Sequence, residues 1–155
     1  MLIMKKTIMG MVFGILAAGL LAGCQKKAVE FSKFEYGSGG APWELVYRLI
    51  IDFEKGVLVT KEAKGWDSFR SNPKTETISL TPEQIAELQK ALNSADVTGW
   101  KDKYENRRGV CDGTSWNASY VLKDGTGREI AGNNSWPRGF KALPETLEKM
   151  GVQIK

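Results

Sequence analysis

Trp43-Glu44-Leu45-Val46-Tyr47-Arg48-Leu49-Ile50-Ile51-Asp52-Phe53 alternates with a period of two. Trp43, Leu45, Tyr47, Leu49, Ile51 and Phe53 fall on one face, with Glu44, Arg48 and Asp52 on the other. That period belongs to a half-buried β-strand. Each such side chain contributes roughly 1.5–3 kcal/mol when fully buried, so this face must be core. Downstream, Glu54-Lys55-Gly56 supplies a glycine for positive φ and predicts a tight turn into a second strand, Val57 to Glu62. Upstream, Phe31 to Tyr36 reads as an edge strand, broken by Gly37-Ser38-Gly39-Gly40-Ala41-Pro42. Gly65 to Pro73 reads as a loop, or a loop with a brief strand, and Lys74 to Leu80 alternates again.

A helix follows with complete start signals. Thr81 can cap it, Pro82 suits its first position, and Gln84 completes a Thr-x-x-Gln capping box. Leu80 and Ile85 are spaced for a hydrophobic staple. Ile85, Leu88 and Leu92 form one apolar stripe, and Asn93-Ser94-Ala95-Asp96 ends it. Val97 to Ser115 is polar and irregular, and loops of that length are commonly functional. Trp116 to Lys123 returns to strand, with Trp116, Ala118, Tyr120 and Leu122 on one face. Asp124-Gly125-Thr126-Gly127 predicts a hairpin turn, and Arg128 to Ala131 runs back. Gly132 to Pro137 is a second loop. Phe140, Leu143, Leu147 and Met150 then have helical spacing, so Pro144 must lie in the first turns or kink the helix. Gly151 can terminate it, leaving Val152 to Lys155 as a docked tail. The pattern predicts a single α+β domain, 31–155: an antiparallel sheet of about five or six strands with two helices on one face.

The first residues are of another kind. Lys5-Lys6 precedes an apolar run from Ile8 to Ala22, closed by Leu21-Ala22-Gly23-Cys24. A cationic start, an apolar middle and small residues before a cut site make an export signal. The run of about 15 residues falls short of the roughly 20 that a spanning helix needs. Leu-Ala-Gly-Cys resembles the lipobox of bacterial lipoproteins. That resemblance implies cleavage of residues 1–23, a diacylglycerol thioether on Cys24, and attachment to the membrane through that lipid. Residues 24–30 then form a short polar tether. Because Gln25 rather than Asp follows Cys24, the resemblance implies the outer membrane in a cell with two membranes. In a cell with one, it implies the outer face of the cytoplasmic membrane.

Removing 23 of the 155 residues leaves 132, enough for one domain with a modest core. The formal charge of +4 falls to +2, because Lys5 and Lys6 leave with the signal. Nucleic-acid binding needs a concentrated positive footprint, and no basic block is present. Histidine is absent from the sequence, which removes Ser-His and Cys-His catalysis and the commonest metal ligand. No cofactor is implied. With Cys24 lipidated, Cys111 is left single: a buried small side chain, a reactive thiol or one half of an intermolecular disulfide.

Other motifs give way to plainer readings. Ser71-Asn72-Pro73-Lys74 has Ser-x-x-Lys spacing, but Pro73 interrupts the helical turn that chemistry requires. Cys111-Asp112-Gly113-Thr114 has Val110 where a phosphatase loop of Asp-x-Asp-Gly-Thr type needs its nucleophile. Asp124-Gly125 lacks the ligand spacing of a calcium loop. The C-terminal third, Cys111 to Trp116, Lys123-Asp124-Gly125, Gly132 to Pro137 and Phe140, resembles a small domain of bacterial, often lipoprotein-like, proteins. That domain's pattern is Asp-Gly-Thr-x-Trp, an Asp-Gly hairpin, and Gly-x-Asn-x-Tyr-Pro before a helix. Trp136 stands where Tyr is usual. The resemblance implies the hairpin-then-helix layout and carries over no activity.

Five tryptophans remain to be placed. Trp43 and Trp116 sit on apolar strand faces. Trp66, Trp100 and Trp136 lie among short polar residues, where aromatics either bind sugars, peptides or proteins or close the end of a small core. Pairing Trp116–Lys123 with Arg128–Ala131 brings loop Arg107–Ser115 beside loop Gly132–Pro137. This predicts a binding surface of Arg107, Arg108, Asp112, Asn133, Asn134 and Trp136, with Trp100 nearby. The expected function is a lipid-anchored, non-enzymatic envelope protein that binds another protein or a cell-wall glycan. A small envelope enzyme using Cys111 and a structural or assembly accessory are the alternatives.

Overall fold

The computed structural model describes residues 27–40, 44–105 and 113–155. The signal segment, Cys24, Trp43, Arg107, Arg108, Cys111 and Asp112 lie outside the described residues. In chain order the elements are β1 (Phe31–Gly39), β2 (Leu45–Asp52), β3 (Val57–Lys64), α1 (Trp66–Ser71), β4 (Lys74–Ser79), α2 (Pro82–Ser94), β5 (Lys103–Glu105), β6 (Ser115–Leu122), β7 (Gly127–Asn133) and α3 (Ala142–Lys149). The fold is α+β, with one seven-stranded sheet ordered β4-β3-β2-β1-β6-β7-β5.

β1 is not an edge strand: it pairs with β2 on one side and β6 on the other. Register sets Phe34 between Ile51 and Tyr120, and Tyr36 between Leu49 and Ala118, and all six are buried. Nor do its glycines break it. A Cβ on Gly37 would lie 2.6 Å from Asn117 Oδ1, and one on Gly39 would lie 3.2 Å from the Trp66 ring. These glycines make room for side chains that lie across the strand.

Leu88 and Leu92 of α2, with Leu143 and Leu147 of α3, join that core cluster. The expected box starts α2: Gln84 N–H donates to Thr81 Oγ1 at 3.3 Å, and Thr81 N–H to Gln84 Oε1 at 2.9 Å. Pro144 falls in the first turn of α3, and Gly151, at φ +78°, follows its end.

The structure departs from the sequence reading elsewhere too. The Gly65–Pro73 segment carries a short helix, α1, with an Asp67–Arg70 pair one turn apart. Its Trp66 ring lies by Gly39, and in β2 Val46 is 1% exposed while Leu45, assigned to the core face, is 43% exposed. Within Val97–Ser115, β5 adds to β7 in parallel, so the sheet is mixed and larger than expected. Three residues are too few to announce themselves by alternation.

A bulge at the start of β1 turns both Phe31 and Phe34 into the core. The chain before it is held by two amides of α2. Phe31 N–H donates to Gln89 Oε1 (3.0 Å) and Gln89 Nε2 donates to Phe31 O (2.7 Å). Asn93 makes the same pair with Val29, both at 2.9 Å. Four residues of helix rise about 6 Å and two residues of strand about 6.6 Å, so amides at i and i+4 match main chain at alternate positions.

Candidate binding site at one end of the sheet

Following register across the core face gives one row: Lys74, Glu62, Tyr47, Ser38, Trp116, Gly132 and Tyr104. It crosses all seven strands at the end where the predicted loops begin. Trp116 is the hub of its aromatic half. Its ring stacks on Tyr36 at 6.3 Å, lies 5.9 Å from Tyr104, and meets Trp100 edge-on at 6.3 Å. A Cβ on Gly132 would come within 2.3 Å of this indole, so only glycine lets the ring lie over β7.

The described ends of the two loops are adjacent, as the hairpin requires. Thr114 N–H donates to Asn134 Oδ1 (3.0 Å), Asn134 N–H donates to Thr114 O (3.1 Å), and Trp116 Nε1 donates to Ser135 O (2.9 Å). Asn134 sits at φ +49°, a left-handed conformation that asparagine tolerates better than most residues. Asn133 is exposed and pairs with Ser115. Trp136 is 43% exposed, and its side chain and that of Ser38 lie by the Tyr36 hydroxyl. Ser38 Oγ donates to Lys155 O. Burial pushes the Tyr36 phenol upward.

Trp100 leaves the predicted surface. It is 3% exposed, and its Nε1 donates to Ala95 O at 2.7 Å. A tryptophan among polar neighbours has here closed the core rather than faced a partner. Of the predicted surface, Asn133, Asn134 and Trp136 are brought together, while Arg107, Arg108 and Asp112 lie outside the described residues. Ser71 ends α1 and Lys74 begins β4, so the Ser-x-x-Lys pair does not share a helical turn.

The other half of the row was missed. Tyr47, Thr60, Glu62, Lys74 and the tail line a cleft of about 250 Å³. Glu62 is bonded to the Lys155 ammonium and lies 3.8 Å from Lys74, which sits 2.8 Å from Glu76. Tyr47 is 3% exposed, and its hydroxyl has no hydrogen-bond partner among the described residues. Burial first, then the Glu62 charge, pushes this phenol well upward, so it remains a donor. Alternation put Tyr47 in the core. Only the register of three strands sets Glu62 and Lys74 beside it.

This end of the sheet presents an exposed indole, amides, hydroxyls and ion pairs, a set suited to hydrogen-bonding a polar partner. Compared with known proteins, the chain matches no family model and no curated sequence.

Proposed function

We propose that this chain is a bacterial envelope lipoprotein, held to the membrane by the lipid on Cys24, whose 31–155 domain binds a protein or a cell-wall component. The observation that carries the reading is Leu21-Ala22-Gly23-Cys24 at the end of the Ile8–Ala22 apolar run. The α2 amides support it. They capture the chain from Val29 onward and so leave Cys24 to Ala28 as the link, at most about 17 Å of extended chain. Among the described residues no helix is long and apolar enough to cross a membrane. The binding role rests on the sheet end, where Trp136 is exposed beside the Tyr36 hydroxyl. The lipid test is direct. Radiolabelled palmitate should enter the wild-type chain and be lost in Cys24→Ala; equal labelling of both would remove the anchor.

A further inference from the structure

We propose that the cleft over Tyr47 is a binding site for a neutral sugar, taking one ring of an envelope glycan. The inference deepens the binding-module reading and rests on it for the choice of an envelope ligand.

A buried phenol without a partner is uncommon, because buried polar groups are nearly always hydrogen-bonded. Tyr47 is such a group, and it lines the cleft next to Glu62, its neighbour across β2 and β3. A phenol that donates and a carboxylate that accepts, side by side, suit a hydroxyl of the ligand. That hydroxyl accepts from Tyr47 and donates to Glu62. Thr60 and Gln153 add further donors and acceptors to the lining.

Charge argues for a neutral ligand. Lys155, Glu62, Lys74 and Glu76 form an alternating chain, and Glu148 adds a third carboxylate to the lining. An anion meets three carboxylates, and a cation must compete with two lysines already in place. A polyhydroxylated ring uses both kinds of group. Size agrees: about 250 Å³ lies just below the roughly 300–1,000 Å³ of drug-sized sites.

The Tyr47 hydroxyl is closed to solvent, so the ring reaches it only when a side chain of the rim moves, and the Lys155 ammonium is bonded to the neighbouring Glu62. Lys155 is the movable part of the rim: its side chain is 42% exposed, on the tail beyond α3.

The test titrates the full-length chain, purified in detergent, with glucose, N-acetylglucosamine and cellobiose, using lysine and acetate as charged controls. The amide resonances of Glu62, Val152 and Gln153 report occupancy. The sugars should shift these amides at millimolar concentration. Tyr47→Phe should weaken binding about tenfold without lowering the melting temperature of the ligand-free protein, because the oxygen it loses makes no bond in the fold. Lys155→Ala should tighten binding. The proposal falls if the sugars leave these amides unmoved or lysine or acetate moves them more readily. It falls equally if Tyr47→Phe binds as well as wild type or is destabilised without ligand. Intact mass of the same sample reports the lipid on Cys24, so sugar binding by an unlipidated chain would overturn the anchor alone.

Discussion

The two halves of the end row solve the same problem in opposite ways. Both lie where the core runs out and the sheet must be closed against water. On the β6–β7–β5 side closure is aromatic: Trp116 is surrounded by Tyr36, Trp100, Tyr104 and Phe140. On the β2–β3–β4 side it is polar, with Tyr47 lying beside Glu62, Lys74 and a tail that ends in Lys155. The aromatic half contributes through buried area, which acts regardless of orientation. The polar half contributes little to stability, since exposed ion pairs are each worth at most about 1 kcal/mol. It is therefore the half free to exchange its internal bonds for bonds to a ligand.

The largest test of that contrast is Trp116→Ala. It removes the hub of the aromatic half and should cost about 3–5 kcal/mol in a denaturant melt. A loss under 1 kcal/mol would mean that the surrounding rings do not depend on it. Trp136→Ala should cost less, about 1–2 kcal/mol, for a half-buried ring. If instead it matches the loss at Trp116, Trp136 belongs to the core and the binding surface loses its anchor. The smallest effect lies on the polar half. The hydrogen bond from Lys74, and then its charge, hold the Glu76 carboxyl below its ordinary 4.5. That stabilisation is complete above the unfolded value and is lost as the pH falls through the lowered one. At low salt, the melting temperature of Glu76→Gln should fall slightly less than that of wild type between about pH 5 and pH 3. Identical slopes would show that the pair does nothing for the fold.

Legibility followed the range of the signal. The capping box at Thr81 and the alternation of Tyr47, Leu49 and Ile51 are local, and both read true. The adjacency of the loop ends followed from one hairpin and held through Asn134 and Thr114. What failed depended on contacts distant in sequence. β1 looked like an edge because its glycines were read as breakers, whereas they accommodate Asn117 and Trp66. Val46 gave no sign that it would be buried, and Leu45 next to it took the exposed position instead. Trp100 was misplaced because its cover comes from Trp116 and Phe140, far along the chain. The cleft at Tyr47 needed the pairing of three strands, which no single segment encodes.

The amide clamp on Val29 and Phe31 also has a mechanical meaning. Backbone and helix run side by side there, with four hydrogen bonds spaced along a common direction. A pull on the N-terminal segment along that direction loads the four bonds together in shear, instead of peeling them off one after another. The force passes into α2, and through Leu88 and Leu92 into the core, while Glu30, between the two clamped residues, hands part of it to Lys123 just past the end of β6. Helix and sheet thus share the load on the segment that leads into β1.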